Sequence, residues 1–141
     1  MKIDLAVACD YAMIDQFGKL SIMGIFQHVW VAKFPAVHAR MHLVMRIKGK
    51  RTEIGQHAID IQFTDGDEKI LLKGSGSVTL AEPPAGVLEI EAGAVLIFDI
   101  PLPVAGRYQF EIRIDDQLET IVPLTTSQRA ERAPSGGAIL H

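Results

Sequence analysis

The chain has one cysteine in 141 residues, so no disulfide can form within it. Cys9 alternates with Ile3, Leu5 and Val7, which predicts a buried strand position, and no cation stands close in sequence to activate the thiol. Excess charge of one sign is also missing. Fourteen Lys and Arg face seventeen Asp and Glu, a formal net charge of −3, so nothing global draws the protein to nucleic acid. Long apolar runs are absent. The longest uncharged apolar stretch, Ala92 to Phe98, falls far short of the roughly 20 residues that span a bilayer. The first residues are too briefly apolar for a signal peptide and Asp4 interrupts them, so the expectation is a soluble, cytoplasmic protein.

Enzyme signatures are missing as well. There is no Gly-x-Ser-x-Gly, no phosphate-cradling glycine loop and no His-Glu-x-x-His. Gly74-Ser75-Gly76 lacks a third glycine and a following helix, and Asp10-Tyr11 with Asp15, which could make a carboxylate site, is explained as well by a strand-end turn. No catalytic residue and no cofactor is therefore expected. A hydrolase built from loops would need clustered carboxylates or a serine–histidine contact. Helical periodicity does not hold over eleven residues anywhere; one short helix fits near Pro84 to Glu91.

What the chain does have is period two. Tyr108, Phe110, Ile112 and Ile114 alternate with Arg107, Gln109, Glu111 and Arg113, and Asp115-Asp116-Gln117 supplies the turn into a further apolar run. Val37, Ala39, Met41, Leu43, Met45 and Ile47 make one face of the longest alternation. Ile3 to Cys9, Leu20 to Phe26, Val29 to Val31, Ile59 to Phe63, Ile70 to Leu72, Val78 to Leu80 and Val95 to Phe98 add further strands. Gly74 to Ser77 reads as a bend or bulge between two of these. Eight or nine strands with turn signals between them predict an all-β, two-sheet antiparallel β-sandwich, immunoglobulin-like or C2-like. The length fits one domain, residues 1–125, followed by a tail, residues 126–141. The expected core holds Leu5, Val7, Leu20, Ile22, Met41, Leu43, Ile59, Ile61, Phe98, Phe110 and Ile112.

Five strings carry a family resemblance: Ala8-Cys9-Asp10-Tyr11-Ala12, Gly18-Lys19-Leu20, Gly24-Ile25-Phe26, Phe34-Pro35, and Pro103-Val104-Ala105-Gly106-Arg107-Tyr108-Gln109-Phe110. Over residues 3 to 124 the chain resembles a group of small bacterial proteins of unknown function, each a single β-sandwich domain. The resemblance implies a fold and brings no catalytic residues with it.

His38, Arg40, His42, Arg46 and Lys48 fall on the second face of the longest alternation. Neighbours in such a row lie roughly 7 Å apart, which suits a phosphate, a carboxylate or an acidic partner. The bland account is a solvated face balanced by Asp60. Metal binding is not expected. His38 and His42 stand about 13 Å apart along a strand, too far to share one ion with His28 or His57. Asp65, Asp67, Glu68, Asp115 and Asp116 sit in hairpin turns, where turn chemistry accounts for them without calcium.

Val95-Leu96-Ile97-Phe98 is apolar on both faces, so Val95 and Ile97 need cover that two layers do not supply. With Ile139 and Leu140 of the tail they form the expected interface, and a two-fold homodimer follows. The tail is expected to dock on a sheet edge or beside Val95 and Ile97. The function expected from sequence is a non-catalytic protein-interaction or assembly module. The alternative is a sandwich that binds a small anion or a carbohydrate at the basic row.

Overall fold

The computed structural model describes residues 1–129. Among them nine strands follow one another: β1 (Lys2–Ile14), β2 (Leu20–Phe26), β3 (His28–Val31), β4 (Ala36–Lys50), β5 (Gly55–Asp65), β6 (Ile70–Leu80), β7 (Glu89–Leu102), β8 (Gly106–Ile114) and β9 (Gln117–Gln128). Among the described residues the one helical element is a 3-10 turn, Arg51–Glu53, and no helix is long and apolar enough to cross a membrane. Pro84 to Glu91, where a helix was possible, instead holds a turn closed by Val87 N–H on the Pro84 carbonyl, followed by the start of β7.

Two sheets result. The first has the order β2-β1-β4-β7 and the second β3-β9-β8-β5-β6. The second curls into a half-barrel. All pairings are antiparallel except one: β3 runs parallel to β9. It does so because β2 and β3 are nearly one run of chain, turned at Gln27 from the first sheet into the second. The Gln27 carbonyl accepts the Thr125 N–H at 2.9 Å at that corner. The same pairing carries β9 to Gln128, three residues beyond the expected domain end at 125.

Both sheets feed one apolar core. Met41, Leu43, Met45 and Ile47 of β4 meet Ile59, Ile61 and Phe63 of β5 and Tyr108, Phe110, Ile112 and Ile114 of β8. Phe98 packs against this core, as expected. Gly74 and Gly76 neither bend nor bulge their strand. β6 runs straight through them, because Phe98 lies over Gly74 and Leu96 over Gly76, where a Cβ would meet the ring or the Leu96 methyl. This packing brings the edge strands β6 and β7 of the two sheets into contact.

The first sheet is apolar on its other face too. A bulge between Ile3 and Leu5 shifts the phase of β1, so Ala6 and Ala8 turn inward while Val7 and Cys9 turn out. Expected core residues Val7, Leu20 and Ile22 thus belong to a second, smaller cluster with Cys9, Ala12, Val44 and Val95. Its cover is the end of the β1–β2 hairpin, which folds back across the sheet. The far end of β1 reaches β7 although β4 lies between them in the sheet, and Leu20 rests where a Cβ on Gly93 would be. The fold-back is made at Gly24, with φ +70 in mid-strand opposite Asp10, whose carboxylate occupies the space of a Gly24 side chain. Asp15 fixes the tip: its Oδ1 accepts the N–H of Phe17 (2.8 Å) and of Lys19 (2.9 Å).

Two substitutions test this arrangement. Leu43→Ala should cost about 2–5 kcal/mol, from lost transfer energy plus a cavity. Gly24→Ala should cost about 1–2 kcal/mol from the left-handed backbone alone, and more from the collision with Asp10. Urea denaturation measures both; Asp10→Ala added to Gly24→Ala should recover the collision part only.

Candidate functional site

The basic row does not survive as a row. A second bulge lies between His38 and Met41, and Arg40 sits in it at φ +53, its N–H donating to Asp99 Oδ1 at 2.9 Å. The bulge flips the alternation. His38 turns toward Phe26, whose ring centroid is 5.4 Å away and which packs on the inner core. His42 faces outward yet is 4% exposed, under the ring of Tyr11, with its Nδ1 2.9 Å from the Arg40 carbonyl oxygen. Arg46 and Lys48 keep the expected outward aspect without being covered, and their partner is not Asp60. Arg46 grips Asp4 with two hydrogen bonds, at 3.0 and 3.1 Å, and Lys48 lies 3.2 Å from Glu89 and 3.4 Å from Asp4. The Arg46 guanidinium holds the Asp4 carboxyl below the usual carboxylate range. An anion at this face would have to displace carboxylates already in place.

His57, outside the expected site, is held on both sides. Nδ1 lies 2.6 Å from Asp115 Oδ2 and Nε2 lies 2.6 Å from the Glu53 carbonyl oxygen. Both partners can only accept, so both ring nitrogens carry hydrogen and the ring is an imidazolium. The Asp115 carboxylate first, and the Glu53 carbonyl second, hold its proton above the ordinary imidazole range. His57 in turn, followed by the Ala58 N–H, holds Asp115 below the ordinary carboxylate range. Asp115 and Asp116 have φ of +50 and +66, the two-residue turn that matches strand twist, and this aims the Asp115 carboxylate back at β5. Asp65 is likewise occupied within its own turn, accepting the N–H of Asp67 and of Lys69.

A serine–histidine contact is present. His28 Nε2 lies 2.8 Å from Ser127 Oγ and Nδ1 lies 2.6 Å from Thr125 Oγ1, across the parallel β3–β9 pair. The Thr125 hydroxyl points on to the Gln27 carbonyl at 3.4 Å. The third member is therefore a hydroxyl, and no carboxylate lies within hydrogen-bond reach of His28 among the described residues. Trp30 packs on the histidine ring at 4.5 Å. The arrangement fastens a four-residue edge strand to β9. The Cys9 thiol is buried, and that burial pushes its proton affinity up, so it is a packing group.

One run of apolar exposure was not anticipated. With Ala12, Leu20 and Ile22 turned to the sheet, the other side of the β1–β2 hairpin faces water. Phe17 is 76% exposed, Met23 66%, Ile25 58%, Tyr11 51% and Met13 44%. Tyr11 and Met23 are register partners, as are Cys9 and Ile25. Alternation did mark β2 as a strand, but it assigned only one of its faces. Of the expected interface, Val95 lies under the hairpin and Ile97 remains 45% exposed; Ile139 and Leu140, and with them the docking of the tail, lie outside the described residues.

A family model described as a family of unknown function, DUF6941, matches residues 4–127. No curated protein matches the chain.

The His57–Asp115 pair makes stability depend on pH with a definite sign. Asp115 must be ionised, so its contribution is present above about pH 3.9 and lost as pH falls through its lowered folded value. His57 must be protonated, so its contribution is full below about pH 6.5 and lost as pH rises through its raised folded value. The difference in urea midpoint between the protein and His57→Gln should be largest between about pH 4 and 6.5 and shrink on both sides. A difference that grows above pH 7 would mean that His57 is neutral.

Proposed function

We propose, for a chain that belongs to the family of unknown function DUF6941, a non-catalytic role as a cytoplasmic protein-interaction module that works first by self-association. The observation that carries this reading is the outward face of the β1–β2 hairpin. Five large apolar side chains of this hairpin keep 44–76% of their surface in solvent, two of them methionines, which adapt to a partner surface. Ala12, Leu20 and Ile22 of the hairpin already pack on Val44 and Val95 of the sheet, so it presents its other side on a supported platform. On the same reading the two layers are a sandwich with one curled sheet. Tyr108 supports this: its hydroxyl donates to the Val104 carbonyl at 2.5 Å and accepts the Val104 N–H at 3.2 Å, a corner found in Greek-key sandwiches. The anion-binding alternative is not carried forward, because Arg46 and Lys48 are paired with Asp4, Glu89 and Glu91.

Sedimentation equilibrium tests the reading. The protein should be a dimer at micromolar concentration, and Met23→Lys with Ile25→Lys should make it a monomer while leaving the thermal midpoint nearly unchanged, because both side chains are exposed. A monomer at high micromolar concentration would overturn self-association. Ser127 should also stay unlabelled by a fluorophosphonate probe; rapid labelling that His28→Ala abolishes would favour a hydrolase instead.

A further inference from the structure

β7 forms one edge of the first sheet, and among the described residues its outer side pairs with no strand. Edge strands are ordinarily blunted by lysine, proline, a bulge or a kink. β2, the opposite edge, has its kink at Gly24. The middle of β7, Ala92 to Phe98, has no charge and no proline, and its register with β4 is unbroken from Glu89 to Phe98. Beside it runs a groove of about 420 Å³ between Ser75–Ser77 of β6 and residues 93–98 of β7. The short, exposed side chains of Ser75 and Ser77 line its β6 side, while Leu96 and Phe98 pack over the β6 backbone beneath. Unpaired backbone donors and acceptors thus lie along a cleft bounded on its other side by a second strand.

Charge decides the occupant. A second copy of β7 would pair antiparallel, and the register that aligns the uncharged runs is centred on Val95. That register sets Glu91 of each copy against Asp99 of the other, like charges directly opposite. The same carboxylates suit a cationic partner. Glu89 and Glu91 meet Lys48 on the sheet face yet keep 60% and 55% of their side chains in solvent, and Asp99 is exposed. We infer that the β7 edge takes an extended polypeptide segment of a partner protein, paired as a fifth strand of the first sheet, with an uncharged middle and basic residues at both ends. Backbone pairing supplies affinity, the groove takes every second side chain, and the acidic ends select the partner.

The probe is a library of randomised eleven-residue peptides panned against the folded protein, with binders resynthesised and measured by fluorescence anisotropy. Selected peptides should have basic ends and β-branched residues in alternation. Replacing the basic ends with glutamate should weaken binding about tenfold at low salt, and the difference should shrink as salt rises. N-methylation of alternate backbone amides should abolish binding in one of the two phases. Amide shifts on binding should concentrate in residues 93–98 and 75–77. Ser75→Trp, at an exposed position, should fill the groove and abolish binding with the fold intact. The hairpin variant Met23→Lys with Ile25→Lys should bind the peptide as the parent does, which separates this site from the self-association face. The inference is overturned if no binder emerges, if the shifts fall on the hairpin, or if N-methylated peptides bind as well as the parent in both phases.

Discussion

The structure turns on one constraint: around the middle of β4 the first sheet is apolar on both faces. Met41, Leu43, Met45 and Ile47 point one way and Val44 the other, with His42 beside it. A sheet with such a strand at its centre must be covered twice. The second sheet covers one side. For the other, the chain bends its own first hairpin over the sheet, and that requirement selects Gly24 at the fold, Gly93 beneath Leu20 and the Asp15 turn at the tip. The cover is a two-stranded ribbon, so it has two faces, and burying one raises the other into solvent. The exposed apolar surface of the hairpin is thus the outer side of the element that solves the burial problem.

Charge follows the same geometry. Where the hairpin does not reach, the outer face of the first sheet is polar, and there Asp4, Arg46, Lys48, Glu89 and Glu91 alternate in sign across three strands. Surface pairs of this kind contribute little to stability. Their effect is to remove the positive field that a row of cations would otherwise present.

Much of the strand pattern was legible in the sequence, and the failures share a cause. Alternation placed Tyr108, Phe110, Ile112 and Ile114, and likewise Leu43 and Ile61, because nothing interrupts the pleat there. It failed at two places where one residue is added to one strand. The bulges at Ile3/Leu5 and at His38–Met41 each exchange the two faces, and neither is marked by glycine; Arg40 takes the left-handed conformation itself. The row from His38 to Lys48 was therefore broken by a feature with no local signature. Gly74 and Gly76 failed in the opposite sense. Their reason is Phe98 and Leu96 from another layer, so a local reading mistook a packing requirement for a break. The His57–Asp115 pair, 58 positions apart, is set by the register of β5 with β8 and by the aim of a turn, neither of which one sequence displays.

The corner at Gln27 has a consequence in time. β3 is held by β9 alone, and their register partners, His28 with Thr125 and Val31 with Gln128, are separated by nearly the whole domain. A ribosome adding roughly 5–20 residues per second delivers the mate of β3 several seconds after β3 itself. Through that interval β1, β2 and β4 can assemble by local pairing, but the second sheet lacks the strand that joins it to the first. Closure therefore waits on a parallel, distant pairing, the kind that forms slowly. The growing chain spends its longest vulnerable period with β3 unpaired and its apolar neighbours uncovered.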